Sequence, residues 1–136
     1  RVWDAATGKL LHTLKGHESL VISVVFSPDG KQLATASDDN TARVWDAATG
    51  KLLHTLKGHE SLVISVVFSP DGKQLATASD DNTARVWDAA TGKLLHTLKG
   101  HENVVRSVVF SPDSKQLATA SFDKTARVWN AATSEL

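Results

Sequence analysis

The 136-residue chain contains no cysteine. That excludes disulfides, thiolate metal sites and thiol nucleophiles, and leaves the redox compartment open. It carries no net charge, because fifteen basic residues balance fifteen acidic ones. No long-range field draws it to nucleic acid, a membrane surface or another polyanion, and none of these is expected as a partner. Long apolar runs are missing too: stretches such as Leu20–Ile22 and Val24–Phe26 fall far short of the roughly 20 residues that span a bilayer. No signal peptide is visible, so a cytoplasmic location is the default expectation. With 41% hydrophobic and 22% charged residues, the composition is that of an ordinary folded protein.

What the chain has in place of these is repetition. Residues 43–84 copy residues 1–42 without change, and residues 85–126 copy them with six substitutions: Asn103, Val104, Arg106, Ser114, Phe122 and Lys124. Residues 127–136, RVWNAATSEL, begin a fourth copy. Because residue 1 falls in mid-repeat, the piece reads as an excised or engineered segment. A period of 42 residues is shared by helical armadillo-like units and by four-stranded propeller blades. Turn chemistry decides between them. KGHE, SPDGK, SDDNT and DAATGK recur along each unit, and their Gly, Pro, Asn and Asp leave no room for a three-turn helix. The segments between them are rich in Val and Ile or alternate with period two, as strands do. Four strands are predicted: a (20–27), b (32–37), c (41–45) and d (51–57). Ser27-Pro28-Asp29-Gly30 reads as an a-to-b hairpin turn with a left-handed glycine. Ser114 replaces that glycine in the third copy, at a strain of roughly 1 kcal/mol.

Strands without helices, repeated in order, bury their faces by stacking around an axis, so the expected fold is an all-β propeller. The residues also resemble the WD-repeat (WD40) family: Gly16-His17 before strand a, Ser37-Asp38-Asp39 after strand b, and Trp45-Asp46 ending strand c, recurring three times at constant spacing. Asn130 departs from the Asp of the other copies. The expected blades are 17–57, 59–99, and 101–129 completed by a strand like 9–15. The resemblance implies a buried hydrogen-bonded tetrad in each blade: His17, Ser37, Asp39 and Trp45; His59, Ser79, Asp81 and Trp87; His101, Ser121, Asp123 and Trp129. Chemistry is compatible with it, since Trp offers a donor, Ser both functions, and His links a hydroxyl to a carboxylate.

Ser, His and Asp are also the residue types of a hydrolytic triad. Three copies argue for an element every blade needs, so no catalytic residue and no cofactor is expected. His12, His54 and His96 on strand d lack a companion cluster, so no metal site is expected either. Gly8-Lys9 and Gly30-Lys31 lack the rest of a phosphate-loop motif. Five of the six substitutions fall at one end of the blades, around the start of strand a and the b-to-c turn. The resemblance places peptide contacts at that end, on Leu20, Ile22, Asp38, Leu62, Ile64, Asp80, Val104, Arg106 and Phe122. Drift at tolerant loops explains the same clustering equally well.

The expected function is a non-catalytic scaffold that binds itself and peptides or proteins. A ligand-free architectural module and a hydrolase are the alternatives. Since propellers close with about 4 to 8 blades, three blades are expected to close as a homo-oligomer. Squeezing a ring costs roughly 1 to 3 kcal/mol per overpacked side chain, so a nine-bladed trimer is expected over a six-bladed dimer.

Overall fold

A computed structural model describes residues 1–136. It contains thirteen strands and no helix. The first two, β1 (Val2–Trp3) and β2 (Leu10–His12), form a two-stranded sheet. Blade 1 follows as β3 (Val21–Phe26), β4 (Gln32–Ser37), β5 (Ala42–Asp46) and β6 (Leu52–Leu56). Blade 2 repeats it as β7 (Val63–Phe68), β8 (Gln74–Ser79), β9 (Ala84–Asp88) and β10 (Leu94–Leu98). Blade 3 has only β11 (Val105–Phe110), β12 (Gln116–Ser121) and β13 (Ala126–Asn130). Every pairing is antiparallel between neighbours in sequence.

The turns fold as their residues require. Gly30 closes the β3–β4 hairpin at φ 72°, with its N–H donating to the Ser27 carbonyl at 2.9 Å. Ser114 holds the same left-handed conformation, φ 63°, in blade 3. Its hydroxyl gains a bond that glycine lacks, accepting from Asp71 N–H of the neighbouring turn at 3.3 Å. An irregularity in the first strand, between Val63 and Ser65 in blade 2 and likewise in the other blades, is a bulge that twists the inner strand locally.

The core lies between blades. One cluster joins Ala34, Ala36, Val44 and Leu56 of blade 1 to Val63, Val66, Leu75 and Trp87 of blade 2. A second joins the equivalent residues of blades 2 and 3. Blade 2 thus buries two different faces, one led by small residues and one by Val, Leu and Trp. At the ends of the array the same residues lie open. Val21 is 52% exposed where Val63 is 0%, and Val128 is 54% exposed where Val44 and Val86 are 0%. Strand β2, expected to complete the third blade of a neighbouring chain, pairs within this chain with β1, and β13 has no outer neighbour.

Candidate functional site

Within each blade a polar chain runs through the sheet. In blade 2, His59 is delivered by the loop before β7, Thr77 by β8, Trp87 by β9 and Asp81 by the β8–β9 turn. His59 Nδ1 lies 2.7 Å from Asp81 Oδ2, and His59 Nε2 lies 2.6 Å from Thr77 Oγ1. Trp87 Nε1–H donates to that same Thr77 oxygen at 2.9 Å. The donors can be assigned. A carboxylate only accepts, so Nδ1 carries the proton; Nε2 of the neutral ring then accepts from the Thr77 hydroxyl, whose lone pair takes the Trp87 N–H. No atom of the chain is left over. Blades 1 and 3 repeat it through His17, Thr35, Asp39 and Trp45 and through His101, Thr119, Asp123 and Trp129.

This corrects one expectation. The hydroxyl joining His to Trp belongs to Thr35, Thr77 and Thr119, and not to Ser37, Ser79 and Ser121. The serines sit two residues further along the strand and serve the loop instead. Ser79 Oγ donates to the Leu62 carbonyl at 2.8 Å and accepts from Asp81 N–H at 3.1 Å. Both positions face the same side of β8, so strand alternation alone could not choose between them.

The Gly-His step has a steric origin. Gly58 has φ 145°, and a Cβ there would run into the Arg85 guanidinium, which crosses the backbone at that point. Burial raises the Asp81 carboxyl, but hydrogen bonds from His59 and Thr83 outweigh it and hold the group well below the usual carboxylate range. Asp39 and Asp123 are lowered in the same way.

Connected as Asp-His-Thr, the chain has the wiring of a nucleophilic relay. Access decides against that use in blade 2, because Thr77 is fully buried and its oxygen is engaged twice. The clefts between blades 1 and 2 and between blades 2 and 3 are lined mostly by polar and charged residues. One of about 420 Å³ is lined by Asp29, Lys31, Lys73 and Asp88 among others. Another, of about 320 Å³, is lined by Glu60, Asp81, Arg85 and Lys99 among others. No three His, Cys, Asp or Glu side chains gather where a metal would sit. His12 and His54 pack instead against Gly50 and Gly92, the c-to-d turns of the next blade.

The residues expected to contact peptides do come together, on the rim that carries the β8–β9 turn and its equivalents. Backbone bonds hold them in pairs: Asp38 N–H to the Leu20 carbonyl, Asp80 N–H to Leu62, and Phe122 N–H to Val104. Leu20, Ile22, Arg106 and Phe122 are exposed, while Asp38, Leu62, Ile64, Asp80 and Val104 are half-buried. Blade 3 differs in kind. Arg106 lies over the Phe122 ring at 5.0 Å from its centroid, a cation–π pair that the Ile and Asp of the other blades cannot make. Phe122 also replaces Asp80, whose Oδ1 is buried without a partner. Sequence reading found these positions but not the Arg-Phe contact, which needs the register of β11 against the turn.

Comparison with known proteins agrees on the repeats. A family model described as WD domain, G-beta repeat matches residues 8–46, 50–88 and 92–130. The nuclear distribution protein PAC1 of Arthroderma benhamiae is 51% identical over 43 residues, which is 32% of this chain and 9% of that protein. Mouse coronin-7 is 46% identical over 43 residues, 32% of this chain and 5% of its own. Among solved structures, the WD40 repeats of RRP9 superpose with a TM-score of 0.86 at 30% identity, covering 90% of this chain and 38% of theirs. U3-55K matches equally well over 39% of its length. The chain therefore spans well under half of each of these four proteins.

Proposed function

The chain belongs to the WD-repeat family, and on that footing we propose that it is a non-catalytic scaffold which associates head to tail into a closed propeller and offers its Arg106–Phe122 rim to peptides or proteins. The observation that carries the reading is the mismatch between ends and middle. Val21, Val24 and Phe26 on one open face, and Val109 and Val128 on the other, are all more than half exposed. Their counterparts pack against each other at both internal junctions. A second copy brought to the open end meets a surface already complementary to it, through a heterologous contact that closes when the rotation allows. Each of these side chains gains about 1 kcal/mol or more on burial. Nine blades from three copies relieve crowding of the inner valines better than six from two.

The rim reading rests on blade 3. Relative to blade 2 it loses the negative charge of Asp80 and gains the positive charges of Arg106 and Lys124, a difference of three, around an exposed aromatic ring. An acidic peptide with an apolar anchor suits that surface. Light scattering tests the association: masses of three or two times 14.6 kDa support it, and a stable single-chain mass refutes it. Titration with a display-selected acidic peptide tests the rim. Affinity that survives Arg106→Ile with Phe122→Asp would remove it.

A further inference from the structure

Given the head-to-tail association proposed above, we infer that β1 is a placeholder on β2, displaced when β13 of a second copy takes its position. Strand β1 pairs with β2 as Val2↔His12 and Trp3↔Leu10. Strand β5 pairs with β6 as Val44↔His54 and Trp45↔Leu52. The register is the same, so β1 and β2 are the third and fourth strands of a blade whose first two strands are absent.

Their seat against blade 1 is incomplete. A cavity of about 260 Å³ remains between Val2, Leu14, Val21, Val24 and Trp45 and their neighbours. A second of about 220 Å³ lies among Val2, Trp3, Val24, Phe26 and Leu33. At the next junction the matching space holds Val25, Ala34 and Ala36, from the first two strands of blade 1. Blade 3 presents the equivalent residues Val109, Ala118 and Ala120, of which Val109 and Ala120 are exposed. It lacks only a fourth strand. One chain holds a fourth strand without its blade and a blade without its fourth strand.

Both β1 and β13 contain the same Val-Trp pair after an arginine, and they cannot occupy β2 together. Strand β13 is the better occupant. It arrives with five residue pairs to β12, and Trp129 Nε1–H already donates to Thr119 at 2.9 Å, leaving the indole 4% exposed. Trp3 has no such hydroxyl and is 53% exposed. Exchange replaces two cross-strand pairs with a longer strand, fills both cavities and completes blade 3. Retaining β1 would instead require β13 to leave blade 3 and break the Trp129–Thr119–His101 chain. Association is therefore gated by release of β1.

Because the chain has no cysteine, engineered pairs report strand neighbours without background. Directly opposed residues of antiparallel strands have Cα atoms about 4.5–5.5 Å apart, within disulfide range. Val128→Cys with His12→Cys should oxidise to covalent multi-chain species on a non-reducing gel. Val2→Cys with His12→Cys should oxidise within one chain, lock β1 in place and abolish the association that the same protein shows when reduced. The reduced sample, together with the single His12→Cys variant, is the folding control by far-ultraviolet dichroism. A locked chain that still assembles overturns the exchange while leaving association intact, and so does absence of a Val128–His12 cross-link in a wild type that assembles. A wild-type mass of 14.6 kDa overturns both the association and the exchange.

Discussion

Replacing Thr77 with Val removes one oxygen while keeping shape and β-branching, which makes it the sharpest probe of the buried chain. Two groups lose their partner at once: His59 Nε2, which accepts from the hydroxyl, and Trp87 Nε1–H, which donates to it. Both are buried, and blade 2 is covered on both faces, so water cannot step in. At about 1 to 3 kcal/mol for each orphaned group, the expected loss is roughly 2 to 6 kcal/mol. Ser79→Ala, two residues away on the same face, is the matched comparison. Its hydroxyl bridges the Leu62 carbonyl and the Asp81 N–H, and the Leu62 carbonyl keeps a bond from Asp80 N–H at 3.1 Å, so the expected loss is about 1 kcal/mol. For a chain of this size 1 kcal/mol moves Tm by roughly 3 °C. Thermal melts at one fixed protein concentration, since association itself shifts Tm, should place Thr77→Val at least about 6 °C below wild type and clearly below Ser79→Ala. Thr77→Ser, which keeps the oxygen, should fall between. If Ser79→Ala costs as much as Thr77→Val, the assignment of the central hydroxyl to threonine is wrong.

Other perturbations follow from the same geometry. His59→Ala should cost roughly 1 to 3 kcal/mol in denaturant midpoint experiments, since it leaves the buried Thr77 hydroxyl without an acceptor, while Asp81 Oδ2 loses one donor and keeps the Glu60 N–H at 3.1 Å; an unchanged midpoint would contradict the buried chain. Because Asp81 is held below its unfolded value, its contribution is complete above about pH 4 and lost as pH falls further. Stability measured at pH 3 should therefore drop less in Asp81→Asn than in wild type, and parallel losses in the two would dispose of the linkage. Ser114→Gly relieves a left-handed serine and should raise stability by up to about 1 kcal/mol, reduced by loss of the exposed bond from Asp71; a loss on calorimetry would mean that bond outweighs the strain. Gly58→Ala collides with Arg85 and adds strain at positive φ, so a drop of more than 1 kcal/mol is expected, and Gly58→Ala with Arg85→Ala should recover part of it.

The position of each of the four strands a to d, to within a residue at its ends, and the left-handed glycine that closes the β3–β4 hairpin were legible, because each is set locally. The Ser-for-Thr error marks where that legibility stops. Thr35 and Ser37, like Thr77 and Ser79, are present in every copy, share a face and carry the same functional group. What separates them is distance to an imidazole that arrives from a loop eighteen residues earlier, and that distance depends on how the loop crosses the sheet.

Burial at the ends of the array was hidden for a different reason. Blades 1 and 2 are built from identical residues in identical order, yet Val24 is 60% exposed and Val66 1%. No window around a valine can distinguish them, because the difference lies in whether another blade stands in front. A repeat that buries both faces carries a demand for neighbours in every copy, and the copies at the edge carry it unmet. The chemistry inside each blade is complete without a partner, as the Asp-His-Thr-Trp chain shows, while the packing between blades is not. Stability of this chain should accordingly divide into a part that is independent of concentration, carried by blade 2, and a part that grows with concentration, carried by β1, β2, β3 and β13. Hydrogen exchange at two concentrations separates them: amides of β8 and β9 should be equally protected at both, and amides of β2 and β13 should slow as concentration rises. Equal slowing across all thirteen strands would mean that the blades do not stand alone and that the division between internal chemistry and external packing is false.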